Sequence, residues 1–176
     1  MKKSRVFGLL FIGLLTAGWI YPVLHECGHS LAALAVGGKV SCVSLFPIPY
    51  TDCILPSSTA VWQWKIVGLG GLMVPLFFTW IISIRRFWIW LVGFYLHFIC
   101  LLSFCFSAIS CLLFAAGRPV AGDDVTQVLE RGNGQFNVWI FLFLLFLIFV
   151  TVFRLAKTQP LSYISKEISN PTPACV

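Results

Sequence analysis

The chain has 176 residues, of which 59% are hydrophobic, 16% aromatic and only 10% charged, against roughly a quarter charged in a soluble domain. Twelve Lys/Arg and six Asp/Glu are too few to solvate an ordinary globule. The net charge of +6 is scattered, with no basic stripe of the kind that binds nucleic acid. What remains is a polytopic membrane protein of one domain.

Lys2, Lys3 and Arg5 precede Val6–Leu24, a stretch without a charge. This resembles a signal peptide, but Trp19, Ile20 and Tyr21 stand where a cleavage site needs small residues. An uncleaved span is expected instead, running on to Val36 and ended by Gly37-Gly38. Pro22 removes one backbone hydrogen bond and predicts a kink. Lys39 to Ser58 is rich in Val, Ser and Pro, and predicts a small membrane-associated β-hairpin. Pro47-Ile48-Pro49 would form its tip and Asp52 would be a turn residue. A second span follows at 66–84, where Gly68, Gly70 and Gly71 predict a close helix approach. Arg85-Arg86 makes a sharp turn.

The next uncharged stretch, 87–117, is kept as one tilted span, because two would need about 40 residues. His97 within it predicts an interhelical hydrogen bond, with a ligand or supporting role as the alternative. Gly122–Arg131 reads as a short amphipathic helix stopped by Gly132-Asn133-Gly134. A fourth span is expected at 136–156, and a flexible tail at 159–176.

Unpaired backbone groups are costly in lipid, so each span is a helix. The expected fold is therefore an all-α polytopic membrane protein with about four transmembrane helices (6–36, 66–84, 87–117, 136–156) in one integral domain, 1–158, plus the hairpin. Trp62, Trp64, Trp88, Trp90 and Trp139 lie near span ends, where interfacial anchors belong. On four spans, the basic residues favour both termini in the cytoplasm.

The sharpest chemical signal is His25-Glu26-Cys27-Gly28-His29. Histidines four apart on a helix share a face, and their ring nitrogens can reach one tetrahedral zinc. Glu26 beside them can serve as general base. Such groups at membrane depth are expensive without a role. Catalytic zinc usually takes three protein ligands. The candidates for the third are Asp52, His97, Asp123, Asp124 and Glu130. Asp123 and Asp124 follow the third span, on the side where the first span exits. Either can instead cap the short helix, so both stay open, with a lean to Asp124. Cys27 points away from the shared histidine face. Cys42 and Cys53 flank the hairpin and would pair only on an oxidising side.

From Val23 to Leu34 the chain resembles the zinc helix of the site-2 protease family of intramembrane metalloproteases. Val36–Val40 resembles the end of that helix before a hairpin, and Gly68-Leu69-Gly70-Gly71 with Pro75 resembles the glycine-rich start of the next span. Gly122-Asp123-Asp124 stands where the family carries its aspartate ligand, although the family's Asn, Pro and Asp-Gly pattern is absent. The resemblance implies a compact, divergent zinc endopeptidase, with one Zn2+ per chain held by His25, His29 and Asp124 or Asp123. Glu26 would be catalytic, and the substrate a transmembrane segment of another protein in the bilayer. In a bacterium the location would be the inner (plasma) membrane. The competing readings are a non-catalytic metal-binding membrane chaperone or adaptor, and a small transporter.

Overall fold

The computed structural model describes residues 3–47, 49–82 and 87–157. The Arg85-Arg86 turn, the tip residue Ile48 and the tail from 158 onward lie outside them. The order is α1 (Lys3–Leu15), a π-helical turn (Thr16–Ile20), α2 (Tyr21–Ala35), β1 (Lys39–Ser44), β2 (Tyr50–Ile54), α3 (Val61–Ile81), α4 (Phe87–Ala115), α5 (Asp124–Glu130) and α6 (Gly134–Lys157). Among the described residues, four helical stretches are long and apolar enough to cross a membrane: Phe7–Ala35, Val61–Ile81, Phe87–Ala115 and Gly134–Lys157. The long third stretch is indeed one helix. At 1.5 Å per residue it measures about 43 Å, well beyond a hydrocarbon layer of about 30 Å.

α3 begins five residues before the expected start of its span. The Gln63 side chain turns back to accept the Ala60 N–H at 2.8 Å, which closes the first turn ahead of the charged Lys65. Lys65 is tolerated there because its ammonium lies 3.3 Å from the centre of the Phe136 ring.

Pro22 does not break the first helix. The disturbance falls one turn earlier, where the Tyr21 N–H reaches back to the Thr16 carbonyl. That five-residue step is the signature of a π-turn. The Thr16 hydroxyl, also buried, donates to the Ile12 carbonyl at 2.8 Å.

β1 and β2 pair antiparallel, with a bulge between Val40 and Cys42. Asp52 belongs to β2, opposite Cys42, and its carboxylate accepts from the Ser41 hydroxyl at 2.8 Å. It is therefore a strand residue and not the turn residue expected. Cys42 and Cys53 are free thiols, as is the exposed Cys27.

The core joins α3, α4, α5 and α6 through Leu72, Leu76, Phe104, Val128, Leu129 and Leu144, among others. Val125, Val128 and Leu129 are all buried, so the short helix is amphipathic as its sequence indicates. Trp90 is also buried, only 4% exposed, so it packs inside the bundle and does not anchor at its edge. The outward faces of α1 and α6 expose Phe7, Phe11, Phe146 and Phe149. Patches of that size in a chain this apolar suit contact with lipid.

α2 and α3 meet backbone to backbone. A Cβ on Gly28 would run into the Gly70 carbonyl, and one on Gly70 would press on the Gly28 carbonyl carbon at 3.0 Å. Gly68 leaves the space that Val128 of α5 fills. The glycine cluster thus seats two helices, α2 and α5, on α3.

Candidate metal centre

Helical spacing puts His25 and His29 on the side of α2 that faces α3. Their rings lie edge to face, with centroids 4.8 Å apart. Gly71 makes room for both: a Cβ there would stand 2.7 Å from His25 Cε1 and would overlap His29 Nε2. His29 Nδ1 donates to the Val67 carbonyl at 2.8 Å, which fixes its tautomer and leaves Nε2 as a lone pair.

The third group comes from α5. Gly122, at φ +77°, adopts a left-handed turn that brings the chain into the helix. Asp123 then serves as N-cap: its Oδ2 accepts from the Thr126 N–H at 2.8 Å and from the Thr126 hydroxyl at 3.0 Å. Asp124, the first helical residue, is left to point at the histidines. Its Oδ2 lies 3.0 Å from His25 Nε2 and 3.1 Å from His29 Nε2. The two Nε2 atoms are 3.2 Å apart.

Three potential ligand atoms therefore form a nearly equilateral triangle. With Nδ1 of His29 holding its proton, one shared proton cannot satisfy all three contacts, whereas a cation can. Ligands bound at about 2.05 Å in a tetrahedron stand about 3.3 Å apart, close to these spacings. His25, His29 and Asp124 can thus hold a metal ion. Burial opposes ionisation of Asp124, but without a metal the imidazoles of His25 and His29, where they carry protons toward it, outweigh burial and hold the carboxyl well below the usual carboxylate range.

The triangle lies between two clefts. One, of about 670 Å³, is bounded by Glu26, by Tyr50–Cys53 of β2, and by Trp64, Gln127 and Arg131. The other, of about 390 Å³, is bounded by Ser103, Ser107, Val120 and Asp123. Tyr21 and His25 line both clefts. Glu26 is only 5% exposed. Arg131 lies over the Trp64 ring at 4.7 Å, so that tryptophan forms a wall of the larger cleft.

Of the five candidates for the third ligand, the fold brings only Asp124 to the histidines. Asp123 is committed to its cap, and Asp52 lines the larger cleft from the hairpin. His97 is elsewhere, with Nδ1 donating to the Gly93 carbonyl of its own helix at 3.1 Å. It makes no interhelical hydrogen bond among the described residues. Tyr21 was not singled out by motif reading. Its ring lies 5.7 Å from that of His25, and its hydroxyl donates to Ser103 at 2.7 Å. Its place four residues before His25, on the same helix face, was the available signal. No family model, no curated protein and no solved structure matches the chain.

Proposed function

We propose that the chain is an intramembrane zinc-dependent endopeptidase of the site-2 protease type. The observation that carries this reading is the His25–His29–Asp124 triangle, with Glu26 beside it on a cleft, in a chain of apolar helices. Two imidazoles and one carboxylate suit zinc and leave its fourth position open. Zinc, when bound there, lowers the pKa of water and polarises a carbonyl.

The chain's own residues supply the rest. The substrate is a transmembrane segment that has unwound locally, so that one peptide bond can enter the larger cleft. The exposed edge of β2 offers backbone groups to pair with that extended stretch. Glu26 takes a proton from the attacking water and returns it to the leaving nitrogen, so the C–N bond breaks as a C–O bond forms. The His29–Val67 bond holds one imidazole in place throughout, because it uses the ring nitrogen that the metal does not.

The test has two parts. Zinc per chain is measured in detergent-purified protein, and cleavage is assayed on a panel of membrane proteins with single spans. About one zinc, a cleaved span, and loss of cleavage with retained zinc in Glu26→Gln are the expected results. Zinc without cleavage, and a biological effect unaltered by Glu26→Gln, would favour the metal-binding chaperone or adaptor. Absence of zinc after add-back would remove the enzyme reading.

A further inference from the structure

A second polar site lies away from the metal triangle. Thr79 stands eight residues beyond Gly71 on α3, about 12 Å further along the helix. There a cavity of about 60 Å³ opens between α3, α4 and α6, lined by Thr79, Gly93, His97 and Arg154 among others. His97 Nε2 and Arg154 Nη1 are both buried, and neither has a hydrogen-bond partner among the described residues. The Arg154 guanidinium lies over the Trp80 ring, 5.0 Å from its centre.

Two features define what would fit. The first is charge. Arg154 makes no ion pair among the described residues, where the carboxylates are Glu26, Asp52, Asp123, Asp124 and Glu130. The first four line the two clefts beside the triangle, and Glu130 ends α5. Lys157 shares the last turn of α6 with Arg154. The Arg154 side chain is half-buried, and its buried Nη1 faces the cavity with an N–H that calls for an acceptor, best a charged one. The second is direction. His97 Nδ1 donates to the Gly93 carbonyl, so neutral Nε2 is an acceptor and calls for a hydroxyl. A bare anion would meet a lone pair there. The occupant must therefore present a negative oxygen to Arg154 and an O–H to His97. A cavity of about 60 Å³ holds two groups of water size, at roughly 30 Å³ each, one for each nitrogen.

We propose that this cavity takes one phosphate oxygen and one hydroxyl from the headgroup of an anionic phospholipid that combines a phosphate with a free hydroxyl, as a glycerol phosphate does, with the rest of the headgroup left outside the cavity. Phosphate oxygen accepts from Arg154 Nη1, and the glycerol hydroxyl donates to His97 Nε2. The acyl chains stay outside, along apolar helix faces. The site lies between helices long enough to span a bilayer, which favours the lipid over the soluble phosphate.

The experiment is native mass spectrometry and thermal unfolding of the full chain in mixed micelles. The probes are phosphatidylglycerol, phosphatidylcholine and soluble glycerol 3-phosphate. Phosphatidylglycerol is expected to bind and raise the melting temperature, and phosphatidylcholine is not. Arg154→Gln should weaken the phosphatidylglycerol effect about 10- to 100-fold, the range of a lost charged hydrogen bond. His97→Phe should weaken it less, and Arg154→Lys should keep part of it. Zinc content and helicity unchanged in these variants would separate this site from the metal centre. Equal response to phosphatidylcholine, or full response in Arg154→Gln, would overturn the proposal. So would a response to soluble glycerol phosphate equal to that of the lipid. Glu167, outside the described residues, is tested as Glu167→Gln; a lipid response appearing only in that variant would assign the cavity to the chain's own tail.

Discussion

A single methyl group at position 71 should disrupt the candidate metal centre. Glycine to alanine inside a helix ordinarily stabilises it by about 1 kcal/mol. Gly71 is different, because its missing side chain is where both rings sit. The added carbon would stand 2.7 Å from His25 Cε1 and 2.9 Å from His25 Nδ1, while ordinary contact begins at 3.4 Å. The His25 ring must therefore withdraw by roughly 0.5–0.7 Å, and His29, whose Nε2 it overlaps, by more. Metal sites tolerate departures of about 0.2 Å in ligand distance. His29 cannot simply swing aside without losing its Nδ1 bond to Val67. Zinc retention against a graded chelator is the assay, with Gly18→Ala as the control because a Cβ at Gly18 meets nothing within 4 Å. Gly71→Ala should lose zinc at least 10-fold more readily than the parent, and Gly18→Ala should match it. Equal retention in Gly71→Ala would refute the claim that the α2–α3 contact sets the ligand geometry.

The two aspartates should separate cleanly. Asp124→Ala is expected to lose the metal, whereas Asp123→Ala should keep it and cost about 1 kcal/mol of stability as a lost N-cap; urea unfolding in detergent and zinc content read the two. Tyr21→Phe should retain zinc and lose about 1 kcal/mol with the bond to Ser103. Protons compete with metal for the imidazoles, so occupancy should fall as pH drops. Asp124 works in a lower window. Its carboxyl is held below its ordinary value, so its contribution is complete above about pH 4 and is lost only as pH falls through the lowered value. A zinc-release midpoint below pH 4 would contradict this order.

The helices were legible because their residues are nearly all apolar and because His25, Glu26 and His29 share so short a segment. Spacing alone put the two histidines on one face. Distance along the chain hid the third group, since His25 and Asp124 are 99 residues apart and either aspartate suited a cap. Only the left-handed Gly122 and the Thr126 bonds decide between them. The glycines 68, 70 and 71 announced close packing, but not that Gly71 houses imidazoles while Gly68 houses Val128. That division depends on how helices are rotated about their axes, and an almost uniformly apolar sequence carries little phase information. Asp52 was misplaced for a related reason. Short strands rich in Ser and Thr, beside prolines, resemble turns until the pairing is known.

The π-turn at Thr16–Ile20 acts as a rotary joint in the first span. Before it, Gly8 and Gly13 lie against Trp88 and Tyr95 of α4; after it, Gly28 lies against Gly70 of α3. One extra residue in a helix turns everything beyond it by about 100°. The lower half of the span can thus be fastened to one neighbour while the upper half aims its histidines at another. Deleting a single residue within this turn would leave the span almost as long and as greasy as before. It would swing His25 and His29 away from α3, and the candidate metal triangle would come apart on a helix whose composition had barely changed.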